Sequence, residues 1–346
     1  MGIKDISKFF RNDEQEFVAE QPLTDFRGTA IAIDASFLNF RNWQAAISSC
    51  VKNVNLIHEE IDRKDLMDTW INITSSVIDD FLSSGVIPVF CYDGKLPHEK
   101  VDTQKDRKST AQKKREQWAE LREQLDSKEV SPLDDNKDIA KKLATCAYYV
   151  YNRTSEEYKH MQDVVQTWGI PTLQAKGEAE RLCSALVVHD YCSTAFSGDT
   201  DLLVHGCPYP IRGFKGRKQQ EINGITVDSR MAEVVCLPEL LEGHDITFNE
   251  FRHLCFTLGC DYNTRIRGIG PVTAMKKIRE FGSIDNFPFD TESLNLDVCE
   301  RLFAICEDIG ECIDCDGEEL EENLVLDESK VAKKFYHSYK LYKQLV

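Results

Sequence analysis

Two rhythms of apolar and polar residues run along the chain. The first is a set of short, nearly continuous apolar runs rich in β-branched residues, at 29–34 (TAIAID), 86–93 (VIPVFCYD), 170–173 and 192–196. Each has the length of a buried strand, and the first two close on an aspartate. The second rhythm lies between them. From 61 to 84, Leu66, Trp70, Ile73, Val77 and Phe81 recur at helical spacing, and Gly85 supplies the stop. Helices are predicted in the same way over 156–168 and 178–188. Strand alternating with helix predicts an α/β fold around a central, mostly parallel sheet covered on both faces. Segment 100–151 breaks the alternation. It is highly charged and helix-prone, interrupted near Ser131-Pro132, and reads as two helices projecting from the core. Residues 214–225, with Lys215, Gly216, Arg217, Lys218 and the turn pair Asn223-Gly224, predict a basic hairpin. Beyond 247 the pattern is helical, ending in a short basic, aromatic helix over 330–343, and no internal repeat is visible.

Composition narrows the class. A chain of 346 residues with 42% hydrophobic and 10% aromatic content can bury a large core, so disorder is not expected. No apolar run approaches the roughly 20 residues of a membrane helix, and the start, MGIKDISKFF, is too charged for a secretory signal. Thirteen cysteines sit mostly in apolar segments and predict buried thiols in a reducing compartment. Cys312 and Cys315 form a CxxC with Cys299 and Cys306 upstream. Zinc there is disfavoured, because no second CxxC exists and the acidic surroundings read as an exposed, solvated loop.

The net charge of −17 argues against a polyanionic partner until it is located. Segment 307–328 holds eleven acids and no base, and seven further acids lie at the predicted strand ends and turns, so the rest of the chain is close to neutral. Segment 105–115 carries six bases (Lys105, Arg107, Lys108, Lys113, Lys114 and Arg115) against Asp106. Such a stretch is either a solvated helix face or a local field that steers a polyanion.

The seven acids carry the chemistry: Asp34, Asp93, Glu178, Glu180, Asp199, Asp201 and Asp261. Singly, each is also what a helix cap or first-turn acid looks like. Jointly they differ, because parallel strands deliver their C-terminal ends to one crevice, where so many carboxylates repel unless cations lie between them. Oxygen donors without clustered histidine suit Mg²⁺ or Mn²⁺, and a pair of such ions is the usual machinery of phosphodiester hydrolysis. One geometric condition follows. Residues two apart on a helix point about 200° apart, so Glu178 and Glu180 share a site only if Glu178 lies in the entry turn.

The ordered motifs Met1-Gly2-Ile3, Ile31-Ala32-Ile33-Asp34-Ala35-Ser36, Asp93-Gly94-Lys95, Gly177-Glu178-Ala179-Glu180, Asp199-Thr200-Asp201-Leu202-Leu203-Val204-His205-Gly206 and Gly259-Cys260-Asp261-Tyr262 with Ile266-Arg267-Gly268-Ile269-Gly270-Pro271 resemble the flap endonuclease and XPG (Rad2) family of structure-specific 5′ nucleases, over most of residues 1 to about 290. The resemblance implies a PIN-like fold with a helical arch and a helix-two-turn-helix region. It divides the chain into a nuclease region (1–100), a gateway or cap insertion (101–151), a second nuclease region (152–246), the DNA-binding region (247–306) and the acidic stretch with the terminal helix (307–346). It implies that Asp34, Asp93 and Glu180 hold one divalent cation, that Asp199, Asp201 and Asp261 serve the second, and that Glu178 supports the pair. Lys100 and Arg107, two helical turns apart, match the family's basic pair at the scissile phosphate, and surface charge is their bland reading. Phe40 stands where the family often has a base-stacking tyrosine, and a core role is the alternative. Gly2, Arg265, Arg267, Gly268 and Gly270 become candidate DNA contacts, and the carbonyls of Arg265, Ile266 and Ile269 a K⁺ site.

The resemblance thus implies a Mg²⁺-dependent 5′-flap endonuclease with 5′-to-3′ exonuclease activity on branched or gapped DNA, monomeric and nuclear, or cytoplasmic if replication takes place there. A sister activity of the family, a 5′ exonuclease or junction-cutting enzyme, is the near rival. A catalytically silent DNA-binding scaffold predicts a missing acid, and none is missing. A haloacid-dehalogenase-type phosphatase needs a second aspartate two residues after the first, where Ser36 stands. No C-terminal motif for docking a sliding clamp is found, and the acidic stretch has no assigned counterpart.

Overall fold

The computed structural model describes residues 2–126 and 135–346, the side chains of 101–107, 125–126 and 135–137 excepted. The expected interruption at Ser131-Pro132 therefore lies outside the described residues. The chain divides into two compact units, Met1–Phe37, Asp79–Lys100 and Gln166–Val346 in one, Leu38–Ile78 and Val101–Val165 in the other.

The first unit is built on a seven-stranded sheet. Its strands are β1 (Val18–Pro22), β2 (Ala30–Asp34), β3 (Ile87–Tyr92), β4 (Thr172–Gln174), β5 (Thr194–Phe196), β6 (Ile211–Ile222) and β7 (Ile225–Val235), in the order β1-β7-β6-β5-β2-β3-β4. From β6 to β4 every pairing is parallel, while β7 and β1 add by antiparallel pairing. The apolar runs become the parallel strands because both faces are covered. Ile31, Ala32 and Ile33 of β2 and Val89, Phe90 and Cys91 of β3 have no exposed surface. Parallel direction sends the C-terminal ends to one edge. That edge receives Asp34 as the last residue of β2, Asp93 directly after β3, the turn before helix Ala179–Val188 after β4, and residues 197–201 after β5.

The sequence pattern predicts only the tip of the hairpin. The paired strands extend through Val235, and β7 then pairs with β1. Polar residues Asp228, Ser229, Arg230 and Glu233 interrupt the apolar pattern of β7, yet Val227, Ala232 and Val234 are buried. The basic tip is also less cationic than its sequence. Lys215 lies 2.8 Å and Arg212 3.0 Å from Glu233, and Arg217 is paired with Asp80. A second cluster, around Phe17, Phe251, Phe256, Ile278 and Phe303, packs helices Phe248–Leu258 and Pro271–Phe281. The first of these starts on a capping box between Thr247 and Glu250.

The acidic stretch 307–328 is not the solvated loop expected from its composition. Cys312, Ile313, Leu320 and Leu324 are buried in the cluster under helix Ala179–Val188. Ile313 bridges Ala175 in antiparallel fashion, and the Lys176 N–H donates to the Cys312 carbonyl at 2.9 Å. Outward-facing acids dominate the composition, while these few apolar residues set the packing, helped by Lys176–Asp314 (2.8 Å) and Arg181–Glu311 (2.7 Å) ion pairs. The upstream cysteines divide between clusters. Cys299 contacts Cys260 at 3.7 Å in one cluster, Cys306 contacts Cys312 at 3.0 Å in the other, and Cys315 is half-buried. The terminal helix runs Tyr336–Leu345.

The second unit is helical. Trp43 of helix Ala35–Asn53 meets Trp70 of helix Arg63–Ser83 edge-on at 4.9 Å, and the Trp43 indole N–H donates to the Tyr151 carbonyl at 2.8 Å. Helices Val101–Asp126 and Asp135–Val150 pack through Trp118, Leu121, Ile139 and Leu143, with Lys108, Lys113 and Arg115 exposed. Helix Ser155–Thr167 contributes Met161 and Val165. Among the described residues no helix is long and apolar enough to cross a membrane.

Candidate active site

Asp34 leaves β2 with both carboxylate oxygens engaged. The Phe37 N–H donates to Oδ1 at 3.0 Å, so Asp34 does cap the following helix, and the Ser197 hydroxyl donates to Oδ2 at 2.8 Å. The same Ser197 oxygen accepts from the Asp199 N–H at 3.1 Å, coupling the ends of β2 and β5. Burial pushes the Asp34 carboxyl up to about 7, a rise opposed by the Phe37 and Ser197 hydrogen bonds and reinforced by Asp93 and Asp199.

Asp93 is held by the Ala179 N–H, which donates to Oδ1 at 2.8 Å, and by the Ser36 hydroxyl on Oδ2. The turns after β3 and β4 zip together to achieve this. Gly94 N–H donates to the Gly177 carbonyl at 2.7 Å and Lys95 N–H to the Lys176 carbonyl at 3.1 Å. A Cβ on Gly94 would run into the carbonyl oxygens of Ala175 and Lys176, so the close approach needs glycine there. Glu178 is the extended N-cap residue of helix Ala179–Val188, with φ −77° and ψ 140°, which meets the condition set by its spacing from Glu180. Instead of capping, its side chain accepts from the Lys100 ammonium on Oε1 and from the Tyr262 hydroxyl on Oε2.

Asp199 and Asp201 are buried, and Asp201 Oδ1 has no hydrogen-bond partner among the described residues. Gly2, at φ +82°, lies against this pair, where a Cβ would overlap both carboxylates, and the Ile3 N–H donates to the Thr200 hydroxyl at 2.9 Å. Burial raises the carboxyls of Asp199, Asp201 and Glu180 above the usual range. For Glu180 the charges of Asp199, Asp34 and Asp201 add to it, and for Asp201 those of Asp199 and Asp261. Asp261 follows helix Phe248–Leu258 and lies 3.5 Å from the Lys100 ammonium. Burial alone would lower Lys100, but Glu178, Glu180 and Asp261 outweigh it and hold the ammonium above the ordinary lysine range. Its side chain is only 14% exposed, which excludes the reading as surface charge.

The seven acids thus form one electrostatic network, in which Glu178, Glu180, Asp199, Asp201 and Asp261 interact with Lys100, and Asp34, with Asp93 beside it, joins through Asp199 and Glu180. Among the described residues no three acid, His or Cys side chains stand as a ready-made cage. The donor set nevertheless fits hard divalent cations, being all oxygen, mutually repelling and provided with an unpartnered buried oxygen on Asp201.

The remaining candidates lie elsewhere. The Arg107 side chain is outside the described residues. Phe40 is 40% exposed and is not a core residue. Residues Arg265, Ile266, Arg267, Gly268, Ile269 and Gly270 line a depression of about 440 Å³ ahead of helix Pro271–Phe281, whose N-cap is Gly270. Gly268 takes φ +87°, and Arg265 pairs with Asp5 at 2.9 Å.

Sequence reasoning missed the neutral groups that orient the acids. Ser36 stands two residues after Asp34, Ser197 two before Asp199, and Tyr262 next to Asp261, and those offsets were the available signal. Burial, followed by the charge of Glu178, raises the Tyr262 hydroxyl well above its usual range, so it acts as a donor. A hydrogen bond to a charged group is worth roughly 1.5–3 kcal/mol, so Tyr262→Phe is expected to slow single-turnover cleavage about tenfold with the fold intact. An unchanged rate would remove Tyr262 from the site.

Residues 169–261, from just before β4 through Asp261, match the XPG I-region family model. Flap endonuclease 1 of Entamoeba dispar is 31% identical over 294 residues, covering 83% of this chain and 69% of that protein. Flap endonuclease 1 of Zea mays is 28% identical over 297 residues, covering 86% and 70%. Flap endonuclease-1 from Methanococcus jannaschii superposes with TM-score 0.55 at 18% identity over 95% of this chain and 97% of that one. The catalytic core of Rad2 in complex with DNA substrate gives 0.53 at 19%, over 91% and 84%. These two share its PIN-like fold, and with the relatedness in sequence and the ordered acids at one sheet edge, the chain belongs to the flap endonuclease family of XPG/Rad2 nucleases.

Proposed function

We propose that the chain is a structure-specific DNA nuclease, a 5′-flap endonuclease with 5′-to-3′ exonuclease activity that hydrolyses phosphodiester bonds with divalent cations. The observation that carries this reading is the convergence of Asp34, Asp93, Glu180, Asp199, Asp201 and Asp261 with Lys100 at the C-terminal edge of the parallel strands. Asp34, Asp93 and Glu180 would hold one cation and Asp199, Asp201 and Asp261 a second, with Mg²⁺ or Mn²⁺ as the metal. Bound there, the pair would supply Lewis acidity towards an attacking water and stabilisation of the charge that develops on the phosphate.

The protein's own residues do the rest. Lys100 brings a desolvated ammonium that carboxylates or a phosphate can take up, and Arg107 would join it at the scissile phosphate. Glu178, fixed by Lys100 and Tyr262, keeps that ammonium in register with Asp261. The 265–270 loop offers backbone N–H groups at a helix start to duplex phosphates, with Arg265 and Arg267 beside them. Carbonyls of Arg265, Ile266 and Ile269 would take a K⁺ ion in that turn. Gly2 would pass close to DNA, and segment 101–151 would admit a free single-stranded 5′ end. We assign the working form as a nuclear monomer.

Labelled 5′-flap, nicked and four-way DNA at equal concentration test the specificity. Fastest Mg²⁺-dependent cleavage of the flap, abolished by EDTA, is expected. Preference for the four-way substrate would move the chain to a junction-cutting role, and no cleavage of any would refute the reading.

A further inference from the structure

The turn that carries Asp261 and Tyr262 is held by a segment that supplies none of the acids. Asn263 closes the turn from within, accepting from the Cys260 N–H at 2.9 Å. Residues 293–303 brace it from without. The Leu294 carbonyl accepts from the Asn263 amide and the Ser293 carbonyl from the Thr264 N–H, both at 3.0 Å, and the Asn295 amide donates to the Tyr262 carbonyl at 3.1 Å. The Cys299 thiol lies 3.7 Å from that of Cys260. These contacts fix the backbone of the turn and leave the Tyr262 ring to be set by its neighbours.

Phe303 is the neighbour that sets it. It follows helix Leu296–Leu302 as its C-cap, is buried, and meets the Tyr262 ring edge-to-face with centroids 5.5 Å apart. The same ring lies 5.1 Å from His205, whose N–H donates to the Asp201 carbonyl at 3.0 Å. One side chain therefore touches both the turn of Asp261 and the helical turn that begins at Asp201. Beyond Tyr262 the contacts lead to the site. Its hydroxyl donates to Glu178, Glu178 accepts from the Lys100 ammonium, and that ammonium stands 5.9 Å from the centroid of the Tyr262 ring. A phenol that must reach one carboxylate while carrying a cation near its ring has little angular tolerance.

We infer that Phe303 is a positioning residue for cleavage, setting the Tyr262 ring so that its hydroxyl holds Glu178 and, through Glu178, the Lys100 ammonium. The inference rests on the proposed nuclease action. An edge-to-face pair contributes beyond its buried area because the ring edge of one partner is attracted to the face of the other. An aliphatic side chain at 303 would fill the space without that preference, and the phenol would lose its orientation while the core stayed closed. Segment 293–303 lies beyond the family-model match at 169–261, so no motif pointed to it.

The test is a double-mutant cycle of wild type, Phe303→Leu, Tyr262→Phe and the double variant, with Phe17→Leu as a control for loss of a buried ring in the same cluster. Phe303→Leu is expected to slow single-turnover cleavage of 5′-flap DNA about fivefold to tenfold, with affinity for the flap in Ca²⁺ unchanged. In the Tyr262→Phe background the same substitution should slow it by less than about twofold, because the hydroxyl it positions is gone. Melting midpoints of the four metal-free proteins should show the same non-additivity, without relying on turnover. Phe17→Leu should lower the midpoint and leave the rate unchanged. Phe303→Met, a flexible chain that fills irregular space, replaces the leucine variant in the cycle if that variant does not fold. An unchanged rate, a slowing matched by Phe17→Leu, an undiminished effect in the Tyr262→Phe background, or a loss confined to DNA affinity overturns the inference and leaves the nuclease reading intact. Failure of wild type to cleave the flap defeats that reading, and the role of Phe303 falls with it.

Discussion

Asp201→Asn is expected to slow cleavage by at least about a thousandfold, the several kcal/mol attributed to a metal-held transition state at about 1.4 kcal/mol per tenfold, while raising the thermal stability of the metal-free protein. Both effects come from the same atoms. Asp201 is buried with Oδ1 unpartnered among the described residues and its carboxyl raised by burial, Asp199 and Asp261. For an acid raised in the folded state, the stabilising contribution is complete below the unfolded value near 3.8 and is lost as pH climbs through the folded one. Asp34, raised to about 7, places much of that loss between acid and neutral pH. As pH rises the metal-free wild type carries growing repulsion and the amide relieves part of it, so the variant should melt a few degrees higher at pH 8, with the gap closing towards pH 5. Melting at several pH values checks this. A variant that melts lower at pH 8 would mean that the Asp201 carboxylate is not strained by its neighbours.

Lys100→Ala should move both quantities downward. Its ammonium touches Glu178 and lies 3.5 Å from Asp261, and Glu178, Glu180 and Asp261 hold it charged against burial. Truncation leaves those acids uncompensated, so the metal-free protein is expected to lose stability most at pH 8. Removing a preorganised charge from the reacting phosphate typically costs about a hundredfold to a thousandfold, and single-turnover cleavage at saturating Mg²⁺ measures it. Lys100→Arg should restore stability better than rate, because the planar guanidinium satisfies carboxylates but does not reproduce the position of the ammonium. Full activity in Lys100→Ala would confine Lys100 to a structural role. The opposite signs for Asp201 and Lys100 in the metal-free protein separate an electrostatic network from general damage.

The sheet and most of the site were legible because their signals are local. An apolar run ending in an acid marks Asp34 and Asp93, and the spacing of Glu178 from Glu180 demanded a non-helical entry turn, which the extended backbone at Glu178 supplies. Asp261 follows a helix rather than a strand, and only its motif gave it away. What stayed hidden depends on distant residues. Ser197 reaches Asp34 and Tyr262 reaches Glu178 across long stretches of chain, and no spacing rule foretells such contacts. The acidic stretch misled through composition, since its many acids outweighed by number the few residues, Cys312, Ile313, Leu320 and Leu324, that dock it. β7 was obscured because polar residues, among them the buried Ser229 and Glu233, broke the apolar pattern.

The central claim is that these carboxylates exist to hold divalent cations. Equilibrium titration with Mn²⁺, by calorimetry on the DNA-free protein, reads this without relying on turnover. The account predicts about two ions per chain, with Asp34→Asn and Asp199→Asn each weakening or removing one. Absence of binding, or a stoichiometry and affinity unchanged by both substitutions, would contradict it.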